Sequence, residues 1–327
     1  MLIVIASPFP QPGLPNIVRE IDLAGKTVWE FSLGDLNKSL ADAGSSIVAE
    51  QIHHDFLLLP NGHMIIIVAL HKDFTNLTGL PGTTAVLGDA LLDLDPNRKP
   101  AWVWSTFDHL DVNRHPLDFP DWTHANALVY SPDDGDLILS MRNQNWVIKI
   151  DYKDGRGPGD ILWRLGPGGD FTLPGGGPID WFYGQHAPSF IGPSIGGVHK
   201  MVLFDNGNAR VVDSSGTLCN APGALPCYSR VPIFQLDETS KTAQVLWQDK
   251  LTGFSFFAGY AQELGNGNVE FNVAEVTFAP GSADPGSADV IEVTQETTPQ
   301  TVWELDIDGQ NSYRIFRIPS LYPGVQW

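Results

Sequence analysis

Charged residues are scarce in this chain. Only 17% of its 327 residues are Asp, Glu, Lys or Arg, whereas glycine occurs 33 times and proline 25 times. Long surface helices need Glu, Lys and Arg, so the composition argues against them and favours many short strands joined by turns. Positive charge is the scarcer sign, and the formal net charge is -19. We therefore expect no nucleic-acid partner, because phosphate binding requires a basic face.

Long apolar runs and cysteines are also few. No run reaches the roughly 18 apolar residues of a membrane-spanning helix, so we predict no membrane span. The first residues lack the basic flank of a signal peptide. The two cysteines, Cys219 and Cys227, share one loop rich in Gly, Pro and Ser. They are either separate thiols or a local disulfide; we predict the disulfide, which favours an oxidising compartment.

Two patterns recur along the chain. In the first, an apolar residue and an aspartate precede a short turn, and an apolar stretch with tryptophan follows. Its five copies, the last with a degenerate first half, end at Trp29, at Trp102 with Trp104, at Trp163, at Trp247 and at Trp303. Each copy predicts a hairpin whose tryptophan packs between neighbouring sheets.

The second pattern lies between these copies. A polar start leads into an apolar strand, a turn with Gly and Asn or Asp, and another apolar strand, with copies beginning at His54, His124, His186 and Tyr260. Alternation of the two hairpins gives four strands per unit. We predict an all-β fold, a six-bladed β-propeller of four-stranded antiparallel blades. Residues 1–327 would form one domain whose ring is closed by a strand near 312–318, and residues 33–51 are the predicted helix.

The repeat suggests where chemistry would occur. Histidines at related places in three units, His54, His124 and His186, would converge on the central channel. The alternative is that each is a hydrogen-bonded residue capping its strand. Arg142 and Arg210 follow second strands in related positions, and a guanidinium matches sulfate, phosphate or carboxylate oxygens, although a salt bridge to nearby acids would also account for it. Histidine with arginine favours oxyanion chemistry, with histidine as acid, base or nucleophile.

A metal site is the other possibility that the histidines raise. His53, His54 and Asp55 are consecutive, His63 and His71 follow closely, and three channel histidines would suit zinc. However, the sequence has no His-Glu-x-x-His motif and no cysteine ligand pair. We predict no metal and no cofactor.

Several segments in combination resemble the arylsulfotransferase (aryl-sulfate sulfotransferase) family. The similarity runs from about Ile21 to Ala274 and keeps the order of the family's motifs. The segments that carry it are His54 to Gly62, Asp121 to Ala127, Ser140 to Asp151, Ile161 to Gly166, Gly184 to His186, Leu203 to Gly207 and Tyr228 to Arg230.

The resemblance implies a six-bladed propeller that transfers a sulfuryl group from an aryl sulfate to a phenol through a sulfated histidine. It implies that His124 and His186 contact the sulfate and phenolic oxygens and that Arg210 clamps the sulfate. It also implies a secreted or periplasmic protein. The further residues predicted to bind substrate are His54, Arg142, Asn126, Gln185, Asn206 and Tyr260.

The chain departs from the family at the nucleophile. The family's nucleophilic histidine follows the clamping arginine, but here no histidine follows His199, and the expected region offers Tyr260. Either another histidine, such as His54 or His186, has taken over, or the protein is a non-catalytic propeller that binds a ligand or partner. A metal-dependent hydrolase or lactonase is the third possibility.

Overall fold

The computed structural model describes residues 2–6, 16–117, 119–274, 286–318 and 320, with residues 2–6 described as backbone. These residues form five antiparallel sheets, one of three strands and four of four, and in each sheet the strand order follows the chain. The first sheet contains β1 (Leu2–Ala6), β2 (Ile17–Ile21) and β3 (Thr27–Ser32). The second contains β4 (Gln51–Leu58), β5 (Met64–Leu77), β6 (Leu80–Leu94) and β7 (Pro100–Ser105).

The other three sheets repeat the four-stranded pattern. The third contains β8 (Ala125–Ser131), β9 (Asp136–Met141), β10 (Trp146–Ile150) and β11 (Ile161–Leu165). The fourth contains β12 (His186–Phe190), β13 (Val198–Phe204), β14 (Arg230–Asp237) and β15 (Thr242–Lys250). The fifth contains β16 (Tyr260–Glu263), β17 (Val269–Val273), β18 (Ser287–Val293) and β19 (Thr301–Asp308). The predicted all-β class and the four-stranded unit are confirmed, whereas the six-bladed ring stays a prediction.

The recurring aspartate shapes the turn of its hairpin. Oδ1 of Asp22 accepts hydrogen bonds from the backbone N–H groups of Ala24 and Lys26. Asp95 and Asp237 do the same in the β6–β7 and β14–β15 turns. A short acceptor at this place satisfies turn N–H groups that the strand ladder leaves open. Hydrogen bonds from backbone N–H groups accordingly lower the pKa of Asp95 and of Asp237.

The tryptophans of these hairpins differ in burial. Trp104 and Trp163 are almost completely buried, and Trp29 packs against the core of its sheet. Trp303 on β19 is 42% exposed. The predicted packing role is therefore wrong for the last copy, because β19 is an outer strand whose residues are mostly exposed.

The predicted helix is real but shorter than residues 33–51. Helix α1 spans Leu33–Asp42 and begins with a reciprocal cap, in which Ser32 accepts from the backbone N–H of Asp35 and the Asp35 carboxylate accepts from the N–H of Ser32. It ends before Gly44, whose φ of 77° allows the chain to turn away. A second, unpredicted helix, α2, spans Thr106–His109.

The predicted closing strand near 312–318 is wrong. The segment has no strand conformation. The side chain of Asn272 binds its backbone, since Oδ1 accepts from the N–H of Ile315 and Nδ2 donates to the carbonyl of Ser312. Two backbone hydrogen bonds add to this, from the N–H of Ser312 to the carbonyl of Ala274 and from the N–H of Gly259 to the carbonyl of Tyr313. These hydrogen bonds attach the segment to the fifth sheet, but they do not form a strand ladder.

The chain divides into two compact units, Met1–Gln144 with Lys149–Leu162 and Asn145–Ile148 with Trp163–Trp327. The core of the first unit buries alternate residues of β5 and β6 against Leu36 and Leu40 of α1. The core of the second unit joins the inner strands of the fourth and fifth sheets, with Phe204, Phe271 and Val293 among its members. The prediction that residues 1–327 form one domain is not tested by this division. None of the helices formed by the described residues is long and apolar enough to cross a membrane.

Candidate active site

The backbone takes an unusual conformation in or beside the first strand of the second and of the third sheet. His54 in β4 and His124 just before β8 have φ values of 55° and 50°, in the left-handed region. The pairing register shifts at both places, which marks a bulge. In β12 the corresponding residue is Ala187, with φ of 46°, and His186 precedes it. The prediction that His186 is equivalent to His54 and His124 is therefore wrong by one residue, and one residue reverses the direction of a strand side chain.

His124 is oriented by an aspartate three residues earlier. Its Nδ1 lies 2.5 Å from Oδ2 of Asp121. A carboxylate only accepts, so Nδ1 carries a proton, and in the neutral imidazole Nε2 presents a lone pair. Within the part of the chain that the structure describes, no group is hydrogen-bonded to that Nε2. The side chain of His124 is 29% exposed, so its free nitrogen is open to a ligand.

His124 lines a small cavity in the first unit, with a volume of about 180 Å³. The cavity is bordered by Gln51, His53, His54, Ala69, Leu87, Asp89, Asp121 and His124. The rings of His54 and His124 meet edge to face with their centroids 4.9 Å apart. The structure thus brings together two of the histidines that the sequence predicted, and adds His53 and two carboxylates.

Asp89 forms the buried end of this cluster. Its Oδ1 lies 3.1 Å from Nε2 of His53, and its Oδ2 accepts from the hydroxyl of Thr123 and the backbone N–H of Ala125. Burial acts to raise the pKa of Asp89, but the close contact and charge of His53, with the donors Thr123 and Ala125, lower it below the usual value. The carboxylate is therefore charged at neutral pH although it is buried.

Arg142 and Asn126, the other residues of the first unit predicted to bind substrate, are buried beside the backbone at the start of β8. Arg142 directly follows β9, and its backbone N–H donates to the carbonyl of His124 over 3.1 Å. Nη1 of Arg142 donates to Oδ1 of Asn143. Asn126 lies in the bulge of β8 and is fully buried. These contacts support the strand start that carries His124.

In the second unit, His186 has both ring nitrogens occupied. Nδ1 lies 2.7 Å from Oδ1 of Asn206, and Nε2 accepts from the backbone N–H of Ala258 over 3.2 Å. The residue is 1% exposed. A ring that accepts at Nε2 and donates at Nδ1 is neutral and held in one tautomer.

Arg210 is also fully buried. Nη2 lies 2.5 Å from Oδ2 of Asp205, and Nε of Arg230 reaches the same oxygen over 2.7 Å. The ring of Tyr228 covers the guanidinium, with its centroid 4.0 Å from Cζ. Burial acts to lower the pKa of Arg210, but the charges and hydrogen bonds of Asp205 and Tyr228 together outweigh it and raise the pKa. The salt bridge that the sequence left open as an alternative is present.

Gly207 makes this arrangement possible. A Cβ at this position would lie 2.1 Å from the carbonyl oxygen of Tyr228 and 2.7 Å from Nε of Arg210, and φ is 82°. Asp205, not Arg210, directly follows β13 as Arg142 follows β9. The predicted equivalence of the two arginines is therefore wrong, because the turn containing Gly207 separates Arg210 from the strand end.

The remaining residues predicted to bind substrate contact backbone carbonyls or an aromatic ring in the second unit. Nε2 of Gln185 donates to the carbonyl of Trp146. Nδ2 of Asn206 donates to the carbonyls of Ser255 and Ala258. Tyr260 begins β16 with its ring 5.5 Å from that of Phe316. Their roles in substrate binding stay predictions.

The predicted disulfide is confirmed, since Cys219 and Cys227 are bonded. The backbone N–H of Cys219 donates to the carbonyl of Arg210, so the bridged loop is attached to the residue that Tyr228 covers. Among residues with described side chains, no group of three or more His, Cys, Asp or Glu is arranged to hold a metal ion.

Sequence reasoning missed three members of the cavity cluster. Asp121 was visible as an acid three residues before His124, but a strand-start motif does not show which way a carboxylate turns. His53 was noted only as a metal candidate. Asp89 lies on β6, 36 residues before Ala125, whose N–H it accepts. Such a partner is visible only after the strands pair.

The comparisons with known proteins agree with the motifs. The family model described as Arylsulfotransferase (ASST) matches residues 2–314. No curated protein sequence matches the chain. A Bacteroides fragilis protein provisionally assigned as a 6-phosphogluconolactonase aligns over 91% of this chain and 92% of its own, at 12% identity and a TM-score of 0.38.

A second solved structure, the dihydro-heme d1 dehydrogenase NirN in complex with DHE, aligns over 94% of this chain and 73% of its own, at 12% identity and a TM-score of 0.27. Likeness at these scores carries no argument about fold or function. The match to the family model, in contrast, covers nearly the whole chain. The chain therefore belongs to the arylsulfotransferase family.

Proposed function

We propose that this protein transfers a sulfuryl group from an aryl sulfate to a phenolic acceptor, with Nε2 of His124 as the nucleophile. The observation that carries the proposal is the Asp121–His124 pair. Asp121 binds the Nδ1 proton, which leaves a lone pair on the exposed Nε2. When Nε2 becomes sulfated, the ring becomes cationic, and the same carboxylate stabilises that charge. An aspartate has this role beside catalytic histidines in general.

The cavity suits one end of such a substrate. Its volume of about 180 Å³ is below the roughly 300–1,000 Å³ of pockets that enclose drug-sized ligands. It would take the sulfate group and part of the ring, with the rest of the aryl group outside. The carboxylates of Asp89 and Asp121 each face a histidine, and the hydroxyl of Thr123 and the backbone N–H of Ala125 also donate to Asp89, which offsets part of their repulsion of an anionic substrate.

His186 suits this role less well than His124. The lone pair of its Nε2 is taken by the N–H of Ala258, and the ring is buried. To attack sulfur it would first have to give up that hydrogen bond. We therefore assign His186 the alternative that the sequence left open, a hydrogen-bonded residue at the start of its strand. We keep Arg210, with His54, Arg142 and Asn126, among the proposed substrate-binding groups.

A second function is favoured by one observation. The guanidinium of Arg210, the proposed sulfate clamp, is fully buried and paired with Asp205. If that pair does not open, the protein would bind a ligand or partner without turning it over. The disulfide between Cys219 and Cys227 supports a place in an oxidising compartment, secreted or periplasmic, for either function.

The experiment is an assay with 4-nitrophenyl sulfate as donor and phenol as acceptor, followed by mass mapping of the protein. We expect a sulfuryl group on His124 in the absence of acceptor. His124→Asn should lower turnover on the order of 10³-fold or more, and Asp121→Asn roughly 10²-fold or more, because the ring then loses its orientation. His71→Asn is the matched control, since His71 forms an exposed pair with Glu50.

The outcomes separate the two functions. Absence of transfer with any donor and acceptor, in a folded sample, would reject the sulfotransferase and leave the binding protein. Transfer with the sulfuryl group on another histidine would keep the activity and reject His124 as nucleophile. Equal losses in the His71→Asn and His124→Asn variants would show that the effect is not local to the cavity.

A further inference from the structure

Two consecutive histidines face each other in β4. Nδ1 of His53 lies 2.6 Å from Nδ1 of His54. Neighbouring side chains in a regular strand point to opposite faces, which would separate the two rings. The left-handed conformation of His54, at φ of 55°, breaks that alternation. The bulge therefore has a chemical result, because it creates a hydrogen bond between two imidazoles.

The direction of that hydrogen bond is set by Asp89. The Asp89 carboxylate lies 3.1 Å from Nε2 of His53 without the geometry of a hydrogen bond, and its negative charge favours a proton on this nitrogen. The Nδ1 of a neutral His53 then carries none, and the proton between the rings belongs to Nδ1 of His54. His54 and His53 are thus joined by a hydrogen bond, and His53 is in close contact with the buried carboxylate of Asp89.

These contacts end beside the proposed nucleophile. The ring centroid of His54 is 4.9 Å from that of His124, and both residues line the same cavity. A group bound to Nε2 of His124 would therefore lie next to the ring of His54. His53 also borders the cavity, but it is only 5% exposed and its Nδ1 is engaged by His54.

We propose that Asp89, His53 and His54 form a proton relay in which His54 is the acid that protonates the departing phenol. His53 and Asp89 are its positioning residues. The proposal rests on the proposed function. It assigns a role to His53 and Asp89 that the family resemblance did not suggest, and it makes His54 a proton donor in place of a binding residue.

The transfer then balances in two half-reactions. The Nε2 lone pair of His124 attacks sulfur, the N–S bond forms, and the S–O bond to the aryl group breaks. The electron pair stays on the phenolic oxygen, which takes the Nε2 proton of a cationic His54 and leaves as the phenol. In the second half-reaction the acceptor phenol returns a proton to His54. Its oxygen attacks sulfur, and the N–S electron pair returns to His124.

The test compares two sulfuryl donors whose leaving groups differ in their need for protonation. Phenyl sulfate releases a basic phenolate that needs protonation, whereas 4-nitrophenyl sulfate releases a much weaker base. His53→Asn should slow the first half-reaction with phenyl sulfate by roughly 10²-fold or more, the usual size of general acid catalysis. With 4-nitrophenyl sulfate it should slow less than about threefold, because little acid catalysis is lost. His71→Asn, with the same substitution in an exposed pair, should leave both rates unchanged.

Equal losses with both donors would overturn the relay, because they would show that His53 only supports the fold of the cavity. Should His53→Asn fail to fold, the wild-type protein carries the test. A relay predicts first half-reaction rates for the two donors within about tenfold of each other, since acid catalysis offsets leaving-group basicity. A steeper dependence in the wild type overturns it. Absence of any transfer by the wild type would instead remove the proposed function, and the relay with it.

Discussion

Substitution of Asp205 by asparagine is the sharpest stability test that the structure offers. One carboxylate oxygen lies 2.5 Å from Nη2 of Arg210 and 2.7 Å from Nε of Arg230, and the other accepts from the N–H of Tyr183. The side chains of all three ion-pair members are no more than 2% exposed. Asparagine keeps the shape but removes the charge, which leaves two buried guanidiniums without a counter-ion.

Breaking a buried ion pair by removing one partner costs about 3–5 kcal/mol. Solvent screening does not reduce this figure, because none of the charges is exposed. We therefore expect Asp205→Asn to lower the free energy of unfolding in urea by about 3–5 kcal/mol. The control is Asp42→Asn, which breaks an exposed pair with Lys38 and should change stability by less than about 0.5 kcal/mol. Similar values for the two variants would refute the reasoning, since burial would then not control the cost.

Three further predictions concern other parts of the chain. Leu40→Ala should lower the free energy of unfolding by about 2–5 kcal/mol in a urea titration, because Leu40 is fully buried against β5 and β6. A loss below about 1 kcal/mol, as expected for an exposed site, would contradict its core position. An absorbance titration should show Tyr130 and Tyr183 ionising near pH 12. Their contribution to the free energy of unfolding should be complete below pH 10 and should be lost as the pH rises towards 12. Titration of all seven tyrosines together near pH 10 would contradict this. Cys219→Ser and Cys227→Ser should each lower the free energy of unfolding in urea by about 2–3 kcal/mol, given the separation of eight residues. The double variant should lose no more than either single variant, because both remove the same bond. Additive losses would reject the disulfide as their cause.

The sequence predicted the hairpins well because their signals are local. An aspartate at the turn accepts from N–H groups two to four residues away, as Asp22 and Asp95 do. Both the signal and its effect lie within a few residues, so no tertiary partner is needed. The helix was predicted for the same reason, but its end was not. The apolar spacing continues to Ile47, whereas the left-handed Gly44 stops the helix at Asp42.

The structure brings together two of the predicted site residues and adds contacts that the sequence did not show. His54 and His124 do meet, as the repeat predicted. His186 does not occupy the same place, because the bulge in β12 falls one residue later in relation to it. A single-residue shift is invisible in a repeat with insertions, yet it decides whether a ring nitrogen is free or bound to Ala258.

The sequence by itself determined the family, the all-β class, the four-stranded unit and the disulfide. These follow from composition, short-range patterns and motifs in a fixed order. Only the tertiary structure decided which histidine has a free ring nitrogen and which carboxylate orients its ring. Asp89 reaches His53 from another strand, and the left-handed His54 turns two neighbouring rings together. Such contacts depend on strand pairing and on single backbone angles, which no local pattern of residue types specifies.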